Sequence, residues 1–252
     1  MTAHLRAIDL GIAFSLLSRL PVDRLVRIPD AAWQRQAQAA WAFPLVGAAI
    51  GALAAIAGWC ALALSLPPLI AAGISLAVLS ISSGAMHEDG LADCADGFWG
   101  GSSRERRLEI MKDSQIGTYG VLALILVTGL RWIGYGVLLA SGTLAVIAIA
   151  ALSRAAIPAV MCALPHARAT GLSYRVGRPE WPAAGLSALI GIAIAVLCLG
   201  GGTVIAALIA AATVFGIALL AKAKIGGQTG DVLGAAQQMA ELSAILTLLA
   251  LV

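Results

Sequence analysis

The sequence has few charged residues. Asp, Glu, Lys and Arg together make up 12% of its 252 residues, whereas hydrophobic residues make up 60%. Because a soluble domain carries roughly a quarter charged residues, this composition excludes an ordinary soluble domain and indicates a chain that crosses a membrane several times. Aromatic residues are also scarce, at 5%, and the abundant Ala, Gly and Leu suit closely packed membrane helices.

The sequence has no closely spaced cysteine pair and no stripe of basic residues. The four cysteines lie far apart and form no CxxC pair, so neither a disulfide nor a zinc site is expected. The net charge is +3 and the basic residues are dispersed, so no nucleic-acid partner is predicted. The N-terminal stretch "MTAHLRAIDLGIAFSLLSRLPV" contains Asp9 and has no small-residue cleavage site after an apolar core. We interpret it as an amphipathic interfacial helix rather than a signal peptide.

Seven apolar runs approach the length of about 20 residues that a membrane span needs. They are residues 42–65, 69–86, 119–140, 143–163, 183–200, 203–221 and 232–252. Short uncharged turns alternate with long polar connections, and the polar ones hold fourteen of the sixteen Lys and Arg. The predicted fold is therefore an all-α polytopic bundle of about seven transmembrane helices, forming one domain over residues 1–252 with an interfacial segment 1–41. The positive-inside rule predicts a multi-pass inner-membrane protein whose polar face is cytoplasmic.

An acidic cluster interrupts the apolar pattern at "HEDGLADCADGFWGG", residues 87–101. Asp89, Asp93 and Asp96 are spaced i, i+4, i+7, which places all three carboxylates on one face of a helix. Such like charges repel each other and need a positive partner. Oxygen ligands without thiolates suit a hard cation, and Mg²⁺ commonly binds one or two carboxylates plus substrate phosphates. The alternative is a solvated acidic helix face.

Two arginines, Arg131 and Arg154, fall near the middle of predicted spans. A guanidinium at that depth normally faces a partner or a wet cavity. Either both arginines anchor an anionic group in a cavity open to the cytoplasm, or they pair with an intramembrane acid or with carbonyl groups.

Two further polar segments carry candidate site residues. Ser102 or Ser103 is expected to cap a short helix, after which Lys112 and Asp113 precede a glycine-rich turn. The block "KAKIGGQTGDVLGAAQQMAEL", residues 222–242, runs into the last span, so its polar half must face protein or water. Its glycine turn offers backbone N–H groups for a phosphate or a base. Metal, cations and a cavity together suggest phosphoryl or prenyl transfer on a diphosphate substrate.

Four stretches closely resemble the cobalamin synthase family, the adenosylcobinamide-GDP ribazoletransferases. They are "HEDGLADCADGFWGG" (87–101), "RERRLEIMKDSQIGTYG" (104–120), "LSR" (152–154) and "GGQTGDVLGAAQQ" (226–238). The resemblance implies that α-ribazole, or its 5′-phosphate, attacks the cobinamide-linked phosphorus of adenosylcobinamide-GDP, and that GMP leaves.

The same resemblance suggests roles for residues of this chain. Mg²⁺ would bind Asp89, Asp93 and Asp96, while Lys112, Arg131 and Arg154 would neutralise phosphate charge. Asp113, Asp231 or His87 would accept the ribazole hydroxyl proton, or His87 would merely orient Asp89. The further substrate-binding candidates are Gly226, Gly227, Gln228, Thr229 and Gln237.

Two rival functions stay open on sequence grounds. One is another Mg²⁺-dependent intramembrane transferase acting on a lipid diphosphate, of the prenyltransferase or CDP-alcohol phosphotransferase type. "DCADG" (93–97) matches the DxxDG opening of the latter motif, but the following Ala-Arg and the spaced downstream aspartates are missing. The other is a cation-coupled transporter, which predicts polar residues entering from both sides or an inverted repeat; here polarity enters from one side. A homo-oligomer is compatible with the sequence.

Overall fold

A computed structural model of the chain describes residues 5–24 and 26–251. In that part the chain forms twelve α-helices and three short 3₁₀-helices, the latter at Val22–Arg24, Asp30–Arg35 and Gln38–Ala42. The α-helices are α1 (Ala7–Leu17), α2 (Phe43–Ala63), α3 (Pro68–Ser83), α4 (Met86–Gly100), α5 (Arg104–Ile110), α6 (Thr118–Leu139), α7 (Leu144–Ala155), α8 (Ile157–Ala163), α9 (Leu172–Val176), α10 (Trp181–Leu199), α11 (Thr203–Ile225) and α12 (Gly230–Ala250). Residues 1–4 and 25 of the predicted N-terminal segment, and residue 252 of the last predicted span, lie outside the described residues.

The predicted all-α membrane bundle is confirmed. Six helical stretches of the described chain are long and apolar enough to cross a membrane: Gln38–Ala63, Thr118–Leu139, Leu144–Ala163, Trp181–Leu199, Thr203–Ile225 and Gly230–Ala250. Helices α3 and α4 meet the same requirement only as a pair, and they bend by 86° at their junction. The described residues therefore contain six candidate spans, or seven if the bent pair is one broken span.

The bend between α3 and α4 follows from two residues with left-handed backbone conformations. Gly84 has φ +68° and Ala85 has φ +54°, a region that glycine adopts freely and that ends helices. The second predicted span, 69–86, therefore ends at Ser83, and the acidic stretch begins a separate helix that runs across it. Farther along the chain, Pro158 interrupts the fourth span, so that α7 and α8 are separate helices.

The two kinds of connection lie at opposite ends of the bundle. A cavity of about 480 Å³ is lined by Ser141, Gly142, Gly202 and Leu251, which places two tight turns beside the last turn of α12. The polar connections meet where α12 begins, since the Ala167 backbone N–H donates to the Gln228 carbonyl over 2.9 Å. A helix of 21 residues is about 30 Å long, so the polar end and the turn end lie a bilayer's width apart.

The N-terminal helix α1 is attached to the bundle through a buried ion pair. Asp9 is fully buried, and its carboxylate accepts hydrogen bonds from Arg35 Nε (2.9 Å) and Trp41 Nε1 (3.2 Å). Burial alone would raise the pKa of Asp9, but these bonds, with one from the Arg6 backbone, lower the pKa below its ordinary value. The pair therefore stays charged and fixes α1 at the polar end.

Candidate functional site

Two glycines let α4 approach the start of α12 closely. A Cβ atom on Gly90 would lie 2.8 Å from the backbone oxygen of Asp231, and one on Gly234 would lie 3.1 Å from the Cα atom of His87. Small residues of this kind allow membrane helices to pack with their backbones in contact. The packing brings the carboxylates of α4 beside Asp231, which lies 138 positions after Asp93 in the sequence.

Asp89 and Asp93 present open carboxylates at this junction. Asp89 is exposed and Asp93 half-buried, and neither carboxylate has a hydrogen-bond or ion-pair partner among residues 5–24 and 26–251. Asp93 is close enough to Asp231, Asp89 and Asp96 to interact electrostatically with all three. This concentration of negative charge favours binding of a cation.

Asp96 does not share that open face, because its carboxylate is used by the start of α6. Its oxygens accept the backbone N–H groups of Gly117 (2.7 Å) and Gly120 (2.9 Å), which are among the orphan donors at a helix N-terminus. A Cβ atom at either glycine would lie within 2.4 Å of an Asp96 oxygen. Asp96 thus caps α6 from a neighbouring helix, and its negative charge suits the helix dipole.

The donor set fits a magnesium ion only if the substrate supplies further oxygens. Among the described residues, no group of three or more His, Cys, Asp or Glu side chains is arranged to hold a metal ion. Mg²⁺ nevertheless commonly binds through one or two carboxylates plus substrate phosphates. Asp89 and Asp93, with their free oxygens, suit that arrangement, whereas Asp96 already accepts a backbone N–H on each of its oxygens.

Asp231 is held in place at the first turn of α12. Its Oδ2 accepts hydrogen bonds from Arg168 Nη2 (3.1 Å) and from the Thr229 hydroxyl (3.0 Å). Thr229 in turn caps α12 by accepting the Val232 backbone N–H over 3.3 Å. Thr229 therefore both caps the helix and orients the carboxylate of Asp231, two residues further on.

The predicted glycine turn contacts protein. Gly226 has φ +79° and ends α11, its N–H donating to the Lys222 carbonyl over 3.0 Å. At Gly227 a Cβ atom would lie 2.2 Å from the Pro165 carbonyl oxygen, so a side chain there would collide with the segment that follows α8. The turn exists because two polar connections pass each other at backbone distance.

Gln228 and Thr229, predicted to bind substrate, are each 1% exposed. The Gln228 backbone N–H donates to the Pro165 carbonyl over 2.8 Å, and its side chain bonds His166 Nδ1 over 2.9 Å as well as the Ser173 hydroxyl. In this arrangement Gln228 holds residues 165–173 against the start of α12.

Arg131 lies in a buried charge network. It is 1% exposed, and its guanidinium bonds Glu241 over 2.7 Å and Glu88 over 3.3 Å. The Tyr135 hydroxyl donates to the same Glu241 oxygen over 3.0 Å, while Ser80 donates to Glu88 over 2.9 Å. Of the two alternatives open for this arginine, the structure therefore has the pairing with intramembrane acids.

Gln237 belongs to the same network, and Arg154 interacts electrostatically with both of its acids. Arg154 is 2% exposed and donates to the Ala150 carbonyl over 3.1 Å, while its Nε is buried without a partner among the described residues. Gln237, fully buried, donates to Ser153 (2.9 Å) and Glu241 (2.8 Å). Two arginines and two glutamates make the network neutral overall, as a membrane interior requires.

The remaining predicted residues are dispersed around the site. His87 is 2% exposed, and neither of its ring nitrogens has a hydrogen-bond partner in the described chain, so it does not orient Asp89 in this structure. Lys112 and Asp113 are exposed after α5. Asp113 accepts the Gln115 backbone N–H over 3.1 Å and lines a cavity of about 340 Å³ that reaches Asp96.

Sequence reasoning did not single out Arg168. It stands in a polar connection with several other cations, and only the fold places it 3.1 Å from Asp231. Arg104 has a structural role that spacing does not reveal: its guanidinium donates to the carbonyls of Ile225 (2.9 Å) and Ala167 (2.7 Å) and so joins the two connections.

The fold and this site define a polytopic membrane protein with a carboxylate centre at one end of its helical bundle. The model of the cobalamin-5-phosphate synthase family matches residues 9–249. Two of the most similar curated proteins are both named adenosylcobinamide-GDP ribazoletransferase. The protein of Bradyrhizobium diazoefficiens is 42% identical over 241 residues, covering 94% of this chain and 92% of that protein. That of Brucella canis is 43% identical over 249 residues, covering 94% of each. No solved structure matches the chain.

The chain belongs to the cobalamin-5-phosphate synthase family. The match spans the whole bundle, including α4, the cap of α6 and the start of α12.

Proposed function

We propose that this protein transfers the cobinamide-phosphate moiety of adenosylcobinamide-GDP to α-ribazole or α-ribazole 5′-phosphate. The products are adenosylcobalamin, or its 5′-phosphate, and GMP. The observation that carries the proposal is the family match over residues 9–249, together with relatives of that name that align with 94% of the chain. The open carboxylates at the polar end supply a site suited to this chemistry.

The reaction exchanges one bond to phosphorus for another. The ribazole hydroxyl oxygen bonds to the cobinamide-linked phosphorus, the bond from that phosphorus to the GMP oxygen breaks, and the hydroxyl proton must leave. We assign the proton to Asp231, since its position is fixed by Arg168 and Thr229 through Oδ2, and Oδ1 makes no hydrogen bond within the described chain. Positioning and charge neutralisation then supply most of the catalysis, as in other phosphoryl transfers.

Asp89 and Asp93 are proposed to hold Mg²⁺ together with the diphosphate. Bound there, Mg²⁺ would neutralise the charge that develops on the phosphate oxygens. Asp96 supports this pair by fixing the start of α6.

The network of Arg131, Arg154, Glu88 and Glu241 lies behind this centre. We propose that it holds α4, α6, α7 and α12 in register rather than binding phosphate, because the charges of the four side chains already balance.

The reaction is proposed to take place on the cytoplasmic side of the inner membrane. The support is the charge distribution, since the polar connections that meet at the start of α12 hold fourteen of the sixteen Lys and Arg. The bilayer surrounds the six apolar spans.

The test is turnover by purified protein in detergent or lipid. Incubation with adenosylcobinamide-GDP, α-ribazole and Mg²⁺ is expected to yield GMP and adenosylcobalamin in equal amounts. Omission of α-ribazole should stop GMP release, and chelation of Mg²⁺ should stop it reversibly. If the folded wild-type protein forms neither product, the proposed reaction is wrong. If turnover is unaffected by thorough chelation, only the magnesium assignment is lost.

A further inference from the structure

Arg168 lies in a segment that two independent contacts hold beside the carboxylates. Arg104 donates to the carbonyl of the preceding residue, Ala167, over 2.7 Å. The Ala167 backbone N–H donates to the Gln228 carbonyl over 2.9 Å. The backbone that carries Arg168 is therefore fixed before any substrate arrives, as a preorganised binding group requires.

The two terminal nitrogens of the Arg168 guanidinium differ in their hydrogen bonding. Its Nη2 bonds Asp231 over 3.1 Å, whereas its Nη1 is buried and has no hydrogen-bond partner among residues 5–24 and 26–251. Buried donors in folded proteins are nearly always paired. The side chain as a whole is 17% exposed, so the guanidinium lies at the edge of the site, and a small movement would bring the buried Nη1 to a ligand that enters it.

The charges around Arg168 are those of the proposed reaction centre. It interacts electrostatically with Asp93 as well as with Asp231. Of the three cations predicted to bind phosphate, Arg131 is paired with acids and Arg154 is buried in α7. Lys112 is exposed in the segment after α5. Arg168 is thus a cation that the fold does bring to the carboxylate cluster.

We propose that Arg168 binds a phosphate oxygen of the substrate through Nη1 while Nη2 remains on Asp231. This inference rests on the proposed function. A guanidinium has five donors in a planar fork, so it joins a carboxylate to a phosphate in one geometry. The phosphate belongs either to the diphosphate of adenosylcobinamide-GDP or to α-ribazole 5′-phosphate, and the two sources are separable by experiment.

The experiment compares Arg168→Gln and Arg168→Lys with the wild type in the purified turnover assay. A hydrogen bond to a charged group contributes enough that its loss should raise the KM of the phosphate-bearing substrate roughly 10- to 100-fold. With phosphate-free α-ribazole as nucleophile, a raised KM for adenosylcobinamide-GDP identifies the diphosphate. A raised KM confined to α-ribazole 5′-phosphate identifies the nucleophile's phosphate. The KM of Arg168→Lys should lie between those of the wild type and Arg168→Gln, since an ammonium group cannot bond a carboxylate and a phosphate in the geometry of the planar guanidinium.

The matched control is Arg175→Gln. Arg175 is exposed in the same polar connection, and its side chain makes no hydrogen bond or ion pair in the described chain, so the KM values of Arg175→Gln should equal those of the wild type. Folding of every variant is checked by thermal unfolding. If Arg168→Gln does not fold, the test is the KM of Arg168→Lys alone: a raised KM supports the phosphate contact and an unchanged KM contradicts it.

A binding measurement separates failure of this inference from failure of the proposed reaction. Inorganic pyrophosphate with Mg²⁺ should raise the unfolding temperature of the wild type and of Arg175→Gln, and should do so much less in Arg168→Gln. If pyrophosphate binds in this pattern but the wild type makes no cobalamin, the proposed reaction is wrong and the phosphate site at Arg168 is supported. Unchanged KM values with equal pyrophosphate binding in Arg168→Gln would overturn the phosphate site and leave Arg168 as a counter-ion of Asp231.

Discussion

At Arg131 the structure places a fully paired guanidinium inside the membrane region. Removing one partner of a buried ion pair leaves an uncompensated charge, which typically costs about 3–5 kcal/mol. We therefore expect Arg131→Met to lower the free energy of unfolding by about that amount, as measured by unfolding of the purified protein in detergent.

A double variant separates this role from phosphate binding. Arg131→Met combined with Glu241→Gln removes both charges and should recover part of the lost stability. An Arg131→Met protein with wild-type stability and a raised KM for adenosylcobinamide-GDP would contradict the buried pairing and favour the anionic anchor.

Asp96 gives a second prediction at the residue scale. In Asp96→Asn the amide keeps one acceptor oxygen, but its NH₂ group faces a backbone N–H of α6, donor against donor. The loss of one charge-assisted hydrogen bond should reduce stability by roughly 1–3 kcal/mol, while turnover per folded molecule stays near that of the wild type. Loss of turnover with unchanged unfolding would instead make Asp96 a metal ligand.

At the scale of elements, the contact between α4 and α12 depends on Gly90. Its missing side chain leaves room for the Asp231 backbone at 2.8 Å from the ideal Cβ position. Gly90→Ala should force the helices apart, lowering stability by about 1–3 kcal/mol and lowering turnover, because Asp93 then moves away from Asp231.

The control for Gly90→Ala is Gly129→Ala in α6, where a Cβ atom would meet nothing within 4 Å. There the substitution should be neutral or stabilising by up to about 1 kcal/mol. Equal effects at the two glycines, measured by unfolding and by GMP release, would mean that the α4–α12 contact does not require Gly90.

At the scale of the whole molecule, the sidedness of the bundle is testable by labelling. The four native cysteines (Cys60, Cys94, Cys162 and Cys198) are first replaced, and a single cysteine is introduced at Gly201 or at Arg106, both exposed. A membrane-impermeant maleimide added to intact cells should label Gly201→Cys but not Arg106→Cys. The reverse labelling would place the carboxylate centre outside the cytoplasm.

Contacts between residues that are close along the chain could be predicted from the sequence, whereas contacts between distant residues could not. Ser102 or Ser103 was expected as a helix cap, and it is Ser103 whose hydroxyl accepts the N–H of Arg106, three residues away. The spans are equally local, because each is a run of apolar residues. By contrast, Asp96 bonds residues 21 and 24 positions away, and Arg131 pairs with an acid 110 positions away. Spacing on one helix cannot reveal such partners, which is why the capping role of Asp96 was not predicted and the acid pairing of Arg131 was only one of two alternatives.

The most direct test of the central claim, that the open carboxylates of α4 form the reaction centre, is GMP release by purified Asp93→Asn. We predict a loss of about 100-fold or more with an unchanged unfolding temperature, while the exposed control Asp30→Asn keeps wild-type activity. GMP release by folded Asp93→Asn within about twofold of the wild type, a difference well under 1 kcal/mol, would contradict the claim.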